Sequence, residues 1–246
     1  MDTEETMDSL YIVIPAYNES ANVGRVIEDW YPVVENRGAD SRLVIINDGS
    51  KDDTYEIVCE YAKTRTLLCP LTKKNGGHGS TVLYGYRYAI EHGADYVFQT
   101  DSDGQTLPEE FESFWNLRHE YDAIIGHRND RKDGEDRKFV ETVLRAILRA
   151  IFGVKMPDAN APFRLMKTGL VNKYLPLMPE NYHLPNVMLT TFFVYYKEKV
   201  KFLPITFRPR QGGVNSINFK KIIVIGWHAV IDFVGILERM KKWKRS

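Results

Sequence analysis

The sequence predicts an α/β fold with a mainly parallel central sheet flanked by helices. In the first half, short apolar runs alternate with segments of helical spacing, which is typical of βαβ units. Polar turns follow the first two runs, and Asp101 and Asp103 directly follow the apolar run at 96–100. Open α/β sheets bind ligands at the carboxyl ends of their strands. We therefore expect Pro15, Asp48 and Asp101 to border one crevice.

The expected elements follow in chain order. The first half predicts strands at Leu10–Ala16, 43–47, 66–71 and 96–100, and helices at 21–36, 53–63 and 78–92. The second half predicts strands at 122–126, 163–166 and 200–207, helices at 137–152, 185–197 and 218–241, and a charged loop at 128–136. The sequence contains no internal repeat or linker. Residues 1–217 are expected to form one domain and 218–246 a C-terminal amphipathic, basic helix.

Composition excludes several classes of protein. A 246-residue chain that is 43% hydrophobic can form the core of one large domain. Lys+Arg and Asp+Glu both number 33, so no global attraction to nucleic acid is expected. Cys59 and Cys69 are too few for a disulfide scaffold or a zinc site, which favours a reducing compartment. The acidic N-terminus is not a signal peptide, and no apolar run reaches the roughly 18 residues of a membrane span.

The strongest local signal is Asp101-Ser102-Asp103-Gly104-Gln105. Mg²⁺ in proteins takes oxygen ligands, usually one or two carboxylates together with substrate phosphates. A solvated acidic loop is the alternative. The preceding strand and the missing continuation of a calcium loop favour a Mg²⁺ or Mn²⁺ site. The pattern therefore predicts a metal–diphosphate site and a nucleotide-activated donor.

Two further strand ends supply candidates for nucleotide binding. Pro15 ends the first strand, after which Tyr17 can pack on a nucleobase and Glu19 can bond to its edge. Asp48 follows the second strand and can accept a base N–H or contact a ribose. The alternative is a pair of ordinary turns in which residues such as Asn18 cap the next helix.

A glycine-rich turn, Asn75-Gly76-Gly77-His78-Gly79-Ser80, opens the third expected helix. Backbone N–H groups at a helix N-terminus can bind phosphate. A plain tight turn is the alternative, since the pattern is neither a P-loop nor a dinucleotide fingerprint.

Arginines recur in two loops of the second half. Arg128, Arg131 and Arg137 lie in or beside the charged loop, and Arg210 precedes Gly212 and Gly213. Arginine binds phosphate through its planar fork, and a glycine-containing loop can close over a diphosphate. Solvated loops are the alternative in both places, because acidic residues are interleaved with the first group.

Taken in order, these motifs resemble the inverting glycosyltransferases of family 2, which have the GT-A fold. The first half resembles the family through Val13-Ile14-Pro15-Ala16-Tyr17-Asn18-Glu19, Asn47-Asp48-Gly49-Ser50, Gly77-His78-Gly79 and Asp101-Ser102-Asp103-Gly104-Gln105. The second half resembles the polyprenyl-phosphate branch, typified by dolichyl-phosphate mannosyltransferase, through Gly126-His127-Arg128, Arg137, Pro157-Asp158, Phe163-Arg164 and Arg210-Gln211-Gly212-Gly213.

The resemblance implies a role for each matching residue. The residues implied to bind the nucleotide sugar are Pro15, Tyr17, Glu19, Asp48, Gly79, Asp101 and Arg210. The residues implied to hold Mg²⁺ or Mn²⁺ are Asp101, Asp103 and Gln105. The residues implied to serve catalysis are Asp103, Arg128, Arg137, Asp158 and Arg164, the first two arginines receiving the acceptor's phosphate.

The resemblance also implies the reaction, a metal-dependent inverting transfer of a sugar from UDP or GDP to a polyprenyl phosphate. A glycan hydroxyl in surface polysaccharide synthesis is the alternative acceptor, but it requires a carboxylate base. The comparable region, 179–183, lacks Asp and offers only Glu180 or His183. A non-catalytic nucleotide-sugar-binding protein would need the same pocket. Three departures from the family, at His78, in 158–164 and at Asn215-Ser216, leave the sugar and lipid open.

The C-terminal helix bears on the acceptor. Its apolar stripe consists of Phe219, Ile222, Ile223, Gly226, Val230, Phe233, Val234 and Leu237. Trp227 and Trp243 accompany the stripe, and a basic tail follows it. This pattern is typical of a helix on an anionic membrane surface. Packing on the core, or on a second subunit in a homodimer, is the alternative. The expected location is cytoplasmic and peripheral, at the inner face of the membrane.

Overall fold

The computed structural model describes residues 7–128, 135–208 and 219–243, and the side chains of these except at 135–139 and 219–228. The strands are β1 Leu10–Ala16, β2 Arg42–Asn47, β3 Leu68–Thr72, β4 Tyr96–Gln99, β5 Ala123–Arg128, β6 Arg164–Lys167 and β7 Val200–Ile205. They form one sheet in the order β3-β2-β1-β4-β6-β5-β7.

Helices cover both faces of this sheet. They are α1 Val23–Glu35, α2 Thr54–Ala62, α3 His78–Glu91, α4 Phe111–Trp115, α5 Glu135–Phe152, α6 Thr168–Tyr174, α7 Pro185–Tyr195 and α8 Phe219–Trp243. The short α4 and α6 were not expected, because five and seven residues are too few to show helical spacing in a sequence.

The first half of the sheet confirms the expected parallel βαβ architecture. β1 pairs in parallel with both β2 and β4, with Ala16 opposite Asn47 and Val13 opposite Gln99. Every residue of β1 is buried, as a central strand covered on both faces requires. The exits of β1, β2 and β4 consequently lie at the same edge.

The second half departs from a simple parallel continuation. β6 runs antiparallel to both β4 and β5, with Arg164 opposite Gln99. The entry of β6, rather than its exit, therefore lies beside the exit of β4. The expected loop at 128–136 is also shorter than predicted, since Arg128 ends β5 and α5 begins at Glu135.

Two hydrophobic clusters form the core, one on each face of the sheet. On one face, Trp30 of α1 contacts Phe98 and Phe163 at ring-centroid distances of 5.3 and 6.0 Å. The cluster on the other face includes Tyr86 of α3 and Phe192 of α7. Both clusters include several aromatic rings among their aliphatic side chains, and each ring removes a large apolar area from water.

One face of α8 completes the second cluster. Phe233, Ile236 and Met240 are buried. Trp243, expected at an interface, instead lies 5.7 and 5.3 Å from the rings of Tyr174 and Tyr196. Part of the expected stripe thus packs on the core, while Val234 remains exposed. Within the described residues, no helix is long and apolar enough to cross a membrane.

Candidate active site

Two neighbouring cavities lie at the carboxyl edge of the sheet and share His78, Asp101 and Asp103. The first has a volume of about 370 Å³ and is also lined by Pro15, Tyr17, Glu19, Asp48, Asn75 and Thr81. The second, of about 180 Å³, is also lined by Gln105, Arg128, Asn160, Asn186 and Phe207. A larger groove of about 860 Å³ runs along α5 but contains none of the predicted site residues. Volume alone therefore does not identify the site.

The carboxylate of Asp101 stands between the two cavities. Its Oδ1 accepts hydrogen bonds from Nε2 of His78 at 2.9 Å and Nε2 of Gln99 at 3.1 Å. Oδ1 of Asp103 accepts the backbone N–H of Gln105 at 3.1 Å. Desolvation in the crevice lowers the pKa of His78, but the carboxylates of Asp101 and Asp103 outweigh it and raise that pKa above its ordinary value. The centre of the site thus places an imidazole with a raised pKa beside two carboxylates.

Asp48 is buried under the first cavity and organises the turn before α3. Oδ1 of Asp48 accepts hydrogen bonds from Nζ of Lys73 at 2.6 Å and the N–H of Gly76 at 2.9 Å, and Oδ2 accepts the N–H of Gly77 at 2.8 Å. Burial by itself raises the pKa of Asp48, but the bonds from Lys73 and Gly76 outweigh it and hold that pKa below its ordinary value. The Asp48 carboxylate therefore shapes the cavity wall as well as lining it.

The loops after β1 and β2 are joined by reciprocal hydrogen bonds. The N–H of Asn18 donates to Oγ of Ser50 and the N–H of Lys51 to Oδ1 of Asn18, each at 2.9 Å. Asn18 adopts a positive φ of 53°, which Asn tolerates better than most residues. Its side chain thus bridges the two loops and does not cap α1. The same loops hold Tyr17 at the cavity rim, with 43% of the residue exposed.

Two groups at the first cavity that were predicted to contact the nucleotide sugar form hydrogen bonds within the protein. Glu19 is buried, and its Oε2 accepts a hydrogen bond from Nδ2 of Asn22 at 2.7 Å. The N–H groups of Gly76 and Gly77 both donate to Asp48, so these two groups of the glycine-rich turn are already engaged within the protein. Gly79 is required for packing, because a Cβ there would lie 2.4 Å from the carbonyl oxygen of His183.

An ion pair supports the wall of the second cavity, which its arginine lines. Nε and Nη2 of Arg128 donate to Oδ2 and Oδ1 of Asp158 at 2.8 and 3.1 Å, a bidentate geometry. The guanidinium of Arg128 also lies 5.2 Å from the ring centroid of Phe207. Asp158 is buried and accepts the N–H of Asn160 at 2.9 Å. These contacts fix the orientation of Arg128 toward the cavity that it lines.

Other predicted residues take supporting positions. Arg164 is completely buried and lines neither cavity; its guanidinium donates to the carbonyl oxygens of Ala161 and Asn186. Burial lowers the pKa of Arg164. Nε2 of Gln105 donates to the carbonyl oxygen of Arg208 at 2.7 Å, which ties the acidic turn to the segment after β7. Arg131 and Arg210, with Gly213, Asn215 and Ser216, lie outside the described residues, as does the side chain of Arg137.

Several residues of the crevice were missed by sequence reasoning. They are Lys73, Gln99, Asn186 and Phe207. Lys73 directly follows β3, so its position at a strand end was a usable signal. Asn186 gave no such signal, since it lies in an apolar helix far along the chain.

Among the described residues, no group of three or more His, Cys, Asp or Glu side chains forms a ready-made metal site. The donor set at the centre of the crevice is the carboxylate pair Asp101 and Asp103. Two carboxylates fit a Mg²⁺ or Mn²⁺ ion whose remaining ligands are water and substrate phosphate oxygens.

The sheet order and the acidic pair at a strand exit define a domain with the GT-A fold, and comparison with solved structures confirms that fold. Glucosyl-3-phosphoglycerate synthase from Mycobacterium tuberculosis, in complex with Mn²⁺, UDP-glucose and phosphoglyceric acid, superimposes with a TM-score of 0.69 at 17% identity. The match covers 93% of this chain and 79% of that one. Its complex with phosphoglyceric acid alone gives a TM-score of 0.68, with 93% and 80% covered.

The family follows from the sequence. The profile described as Glycosyl transferase family 2 matches residues 11–175, more than half of the chain, so the chain belongs to that family. The undecaprenyl-phosphate 4-deoxy-4-formamido-L-arabinose transferase of Pectobacterium atrosepticum is 24% identical over 222 residues. That match covers 89% of this chain but 65% of the relative, so the chain spans less than two thirds of its length. The Sodalis glossinidius enzyme of the same description is 23% identical over 226 residues, covering 91% and 67%.

Proposed function

We propose that the chain transfers a sugar from a nucleotide diphosphate sugar to a polyprenyl phosphate. The observation that carries this proposal is that Asp101 and Asp103 line both cavities. A diphosphate held there would present its sugar toward the second cavity, with the nucleoside in the first. The relatives from Pectobacterium and Sodalis are described as acting on undecaprenyl phosphate, which supports a lipid phosphate as the acceptor.

Asp101 and Asp103 would hold Mg²⁺ or Mn²⁺ together with the donor's diphosphate. The bound metal would supply Lewis-acid stabilisation of the departing diphosphate. The solved neighbour with Mn²⁺ and UDP-glucose supports testing that metal and nucleotide first. In the first cavity, Tyr17 offers an aromatic face to the base, and Pro15 and Asp48 border the same space.

The proposed reaction is a single in-line displacement with inversion. The bond between the anomeric carbon and the diphosphate oxygen breaks as the acceptor oxygen bonds to the opposite face of that carbon. Arg128 would position the acceptor's phosphate, since Asp158 already orients its guanidinium at the second cavity. We also propose the roles that the family resemblance implies for two further arginines. Arg137 would help to bind the acceptor's phosphate, and Arg210 would bind the nucleotide sugar.

The carboxylates described at the second cavity favour a phosphate acceptor over a glycan hydroxyl, because none of them is left to act as a base. A hydroxyl must lose a proton, whereas a phosphate is already an anion at neutral pH. Among the described residues that line the second cavity, the only carboxylates are Asp101 and Asp103, which the proposal assigns to the metal. Glu180 and His183 line neither cavity; the Glu180 carbonyl accepts from Arg87, and His183 lies 3.8 Å from Asp232.

The acceptor test supplies undecaprenyl phosphate and a free oligosaccharide separately, each with a panel of UDP- and GDP-sugars. We expect lipid-linked sugar only, formed with Mn²⁺ and abolished by a chelator. Asp103→Asn serves as the control that should fold but not turn over. Transfer only to the oligosaccharide would establish the glycan-hydroxyl alternative. Donor binding without turnover on either acceptor would indicate a nucleotide-sugar-binding protein.

We also propose that the outer face of α8 contacts an anionic membrane, which would place the lipid acceptor near the site. Ile231 and Val234 are 57% and 46% exposed on that face, and Lys241 and Lys242 follow. Because the inner face of α8 packs on the core, the test keeps the full chain. Flotation with vesicles containing anionic lipid should be lost in Ile231→Asp/Val234→Asp and kept in Glu238→Gln. Flotation of the double variant equal to that of the wild type would contradict membrane contact through α8.

Two further expectations remain predictions: that the chain forms a homodimer, and that residues 1–217 form one domain to which residues 218–246 add a C-terminal helix.

A further inference from the structure

We propose that Gln99, Asn186 and His78 are positioning residues that hold the Asp101 carboxylate in one orientation for a divalent cation. This inference rests on the proposed function, because it concerns the same metal site. Oδ1 of Asp101 receives two hydrogen bonds, from Gln99 on its protein side and from His78 on its solvent side. With Oδ1 engaged by two donors, Oδ2 is the oxygen assigned to the cation.

The hydrogen bonds behind Asp101 run in one direction. An ionised carboxylate can only accept, so Gln99 must present its NH₂ group to Asp101 and its Oε1 to the interior. Nδ2 of Asn186 donates to that Oε1 at 2.8 Å. The hydroxyl of Tyr86 donates to Oδ1 of Asn186 at 3.2 Å. Each amide orientation is therefore fixed by its neighbour, and the series ends on the carboxylate.

All three members of this series behind Asp101 are buried, although Asn186 also borders the second cavity. Tyr86, Gln99 and Asn186 are at most 2% exposed. Burying polar groups is unfavourable unless every hydrogen bond is made, and apolar side chains would pack there without that requirement. The carbonyl oxygen of Asn186 is itself held by Nη1 of Arg164 at 3.1 Å. A role in orienting Asp101 gives this buried network a function.

The arrangement predicts an effect on metal affinity. Partners that hydrogen-bond to metal ligands typically change metal affinity by roughly 10- to 100-fold when they are removed. Gln99→Met and Asn186→Leu remove the interior donor or its support at similar volume. We expect both to weaken Mn²⁺ binding by roughly 10- to 100-fold. Binding is measured as free Mn²⁺ by electron paramagnetic resonance, in the presence of UDP and, in parallel, of GDP.

Thr191→Val is the matched control for loss of a buried hydrogen bond. Thr191 is buried in the same helix as Asn186, and its Oγ1 donates to the carbonyl oxygen of Val187 at 2.7 Å. That bond has no link to Asp101. We expect Thr191→Val to lower the unfolding temperature as the other two variants do, while its Mn²⁺ affinity stays at the wild-type value.

His78 tests the same proposal without opening the core, because 54% of its side chain is exposed. His78→Ala removes the outer donor, and we expect roughly 10-fold weaker Mn²⁺ binding. His78→Gln keeps an N–H donor on a flexible side chain and should recover most of the affinity. If His78→Gln stays as weak as His78→Ala, the donor role of His78 is overturned.

The other outcomes are equally decisive. Wild-type Mn²⁺ affinity in Gln99→Met, Asn186→Leu and His78→Ala would overturn the inference and leave the proposed function intact. Equal weakening in Thr191→Val would assign the effect to general destabilisation, which also overturns the inference. If the wild-type chain binds no Mn²⁺ with either nucleotide, the metal part of the proposed function itself fails.

Discussion

The two walls of the crevice are built by different topological means. The nucleotide-side wall consists of segments 15–20, 47–54 and 73–81, which lie at the carboxyl ends of three successive parallel strands. The acceptor-side wall consists of Arg128, Asn160, Pro162 and Phe207, which combine the exits of β5 and β7 with the entry of the antiparallel β6. Right-handed βαβ crossovers bring successive strand exits together automatically, whereas the second wall depends on one reversed strand. Motifs in the sequence therefore predict how the first wall is assembled, whereas for the second wall they predict residues but not how those residues are brought together.

Charge is also held differently in the two walls. Asp48 shares its two oxygens among Lys73 and the N–H groups of Gly76 and Gly77. Asp158 receives both nitrogens of one guanidinium fork, that of Arg128, as well as the N–H of Asn160. We infer that removing the cationic side chain lowers the free energy of unfolding more at the Arg128–Asp158 pair than at the Lys73–Asp48 pair. The following experiments test that difference.

The largest expected effect is that of Arg128→Met. It leaves the buried Asp158 carboxylate without its bidentate partner, and breaking a buried ion pair in this way costs about 3–5 kcal/mol. The measurement is urea unfolding of the variant and of Arg128→Met/Asp158→Asn. The double variant should recover most of the loss because no buried charge is left. No recovery would mean that the cost comes from lost packing against Phe207.

Lys73→Met should be less destabilising. Asp48 then loses one charged hydrogen bond, worth about 1.5–3 kcal/mol, but keeps the two backbone donors. Lys74→Met, at an exposed neighbouring position, is the control and should unfold like the wild type. If Lys73→Met is as unstable as Arg128→Met, the inferred difference between the two ion pairs is wrong.

Gly79→Ala should destabilise by about 1–3 kcal/mol, because the new methyl group meets the backbone of His183 and overpacks the contact. Gly169→Ala, where nothing lies within 4 Å of the added Cβ, is the matched control and should not destabilise. Both are measured by thermal unfolding together with UDP and GDP binding. Lost nucleotide binding at unchanged stability would instead support the nucleotide-binding role that the family resemblance implies for Gly79.

The smallest expected effect is the loss of stability at acidic pH that comes from protonation of Asp48. Because the pKa of Asp48 is lowered on folding, its ionised form stabilises the fold above about pH 3.9, and that contribution is lost as the pH falls toward the lower folded pKa. The stability advantage of the wild type over Asp48→Asn should thus be constant above about pH 5 and shrink below about pH 4. Urea unfolding from pH 6 to pH 3 measures it. An advantage that does not change over this range would contradict the lowered pKa.

The nucleotide side of the site was easier to predict from the sequence than the acceptor side. Its strands are recognisable as apolar runs, and the residues that follow them line one cavity in the structure: Tyr17, Asp48, Asp101 and Asp103. The pairing of Arg128 with Asp158 joins residues that flank α5, and no local pattern specifies which cation meets which carboxylate. The burial of Arg164 was equally hidden, because arginine in a sequence predicts an exposed residue.

The sequence by itself determined the parallel half of the sheet, the family and the acidic pair at the exit of β4, because alternating periodicity and strand-end chemistry are local properties. Only the tertiary structure decided the direction of β6, the packing of the inner face of α8, and the insertion of Asn186 beneath Gln99. These depend on which distant segments can bury their surfaces together with every polar group paired, a condition that no single segment contains.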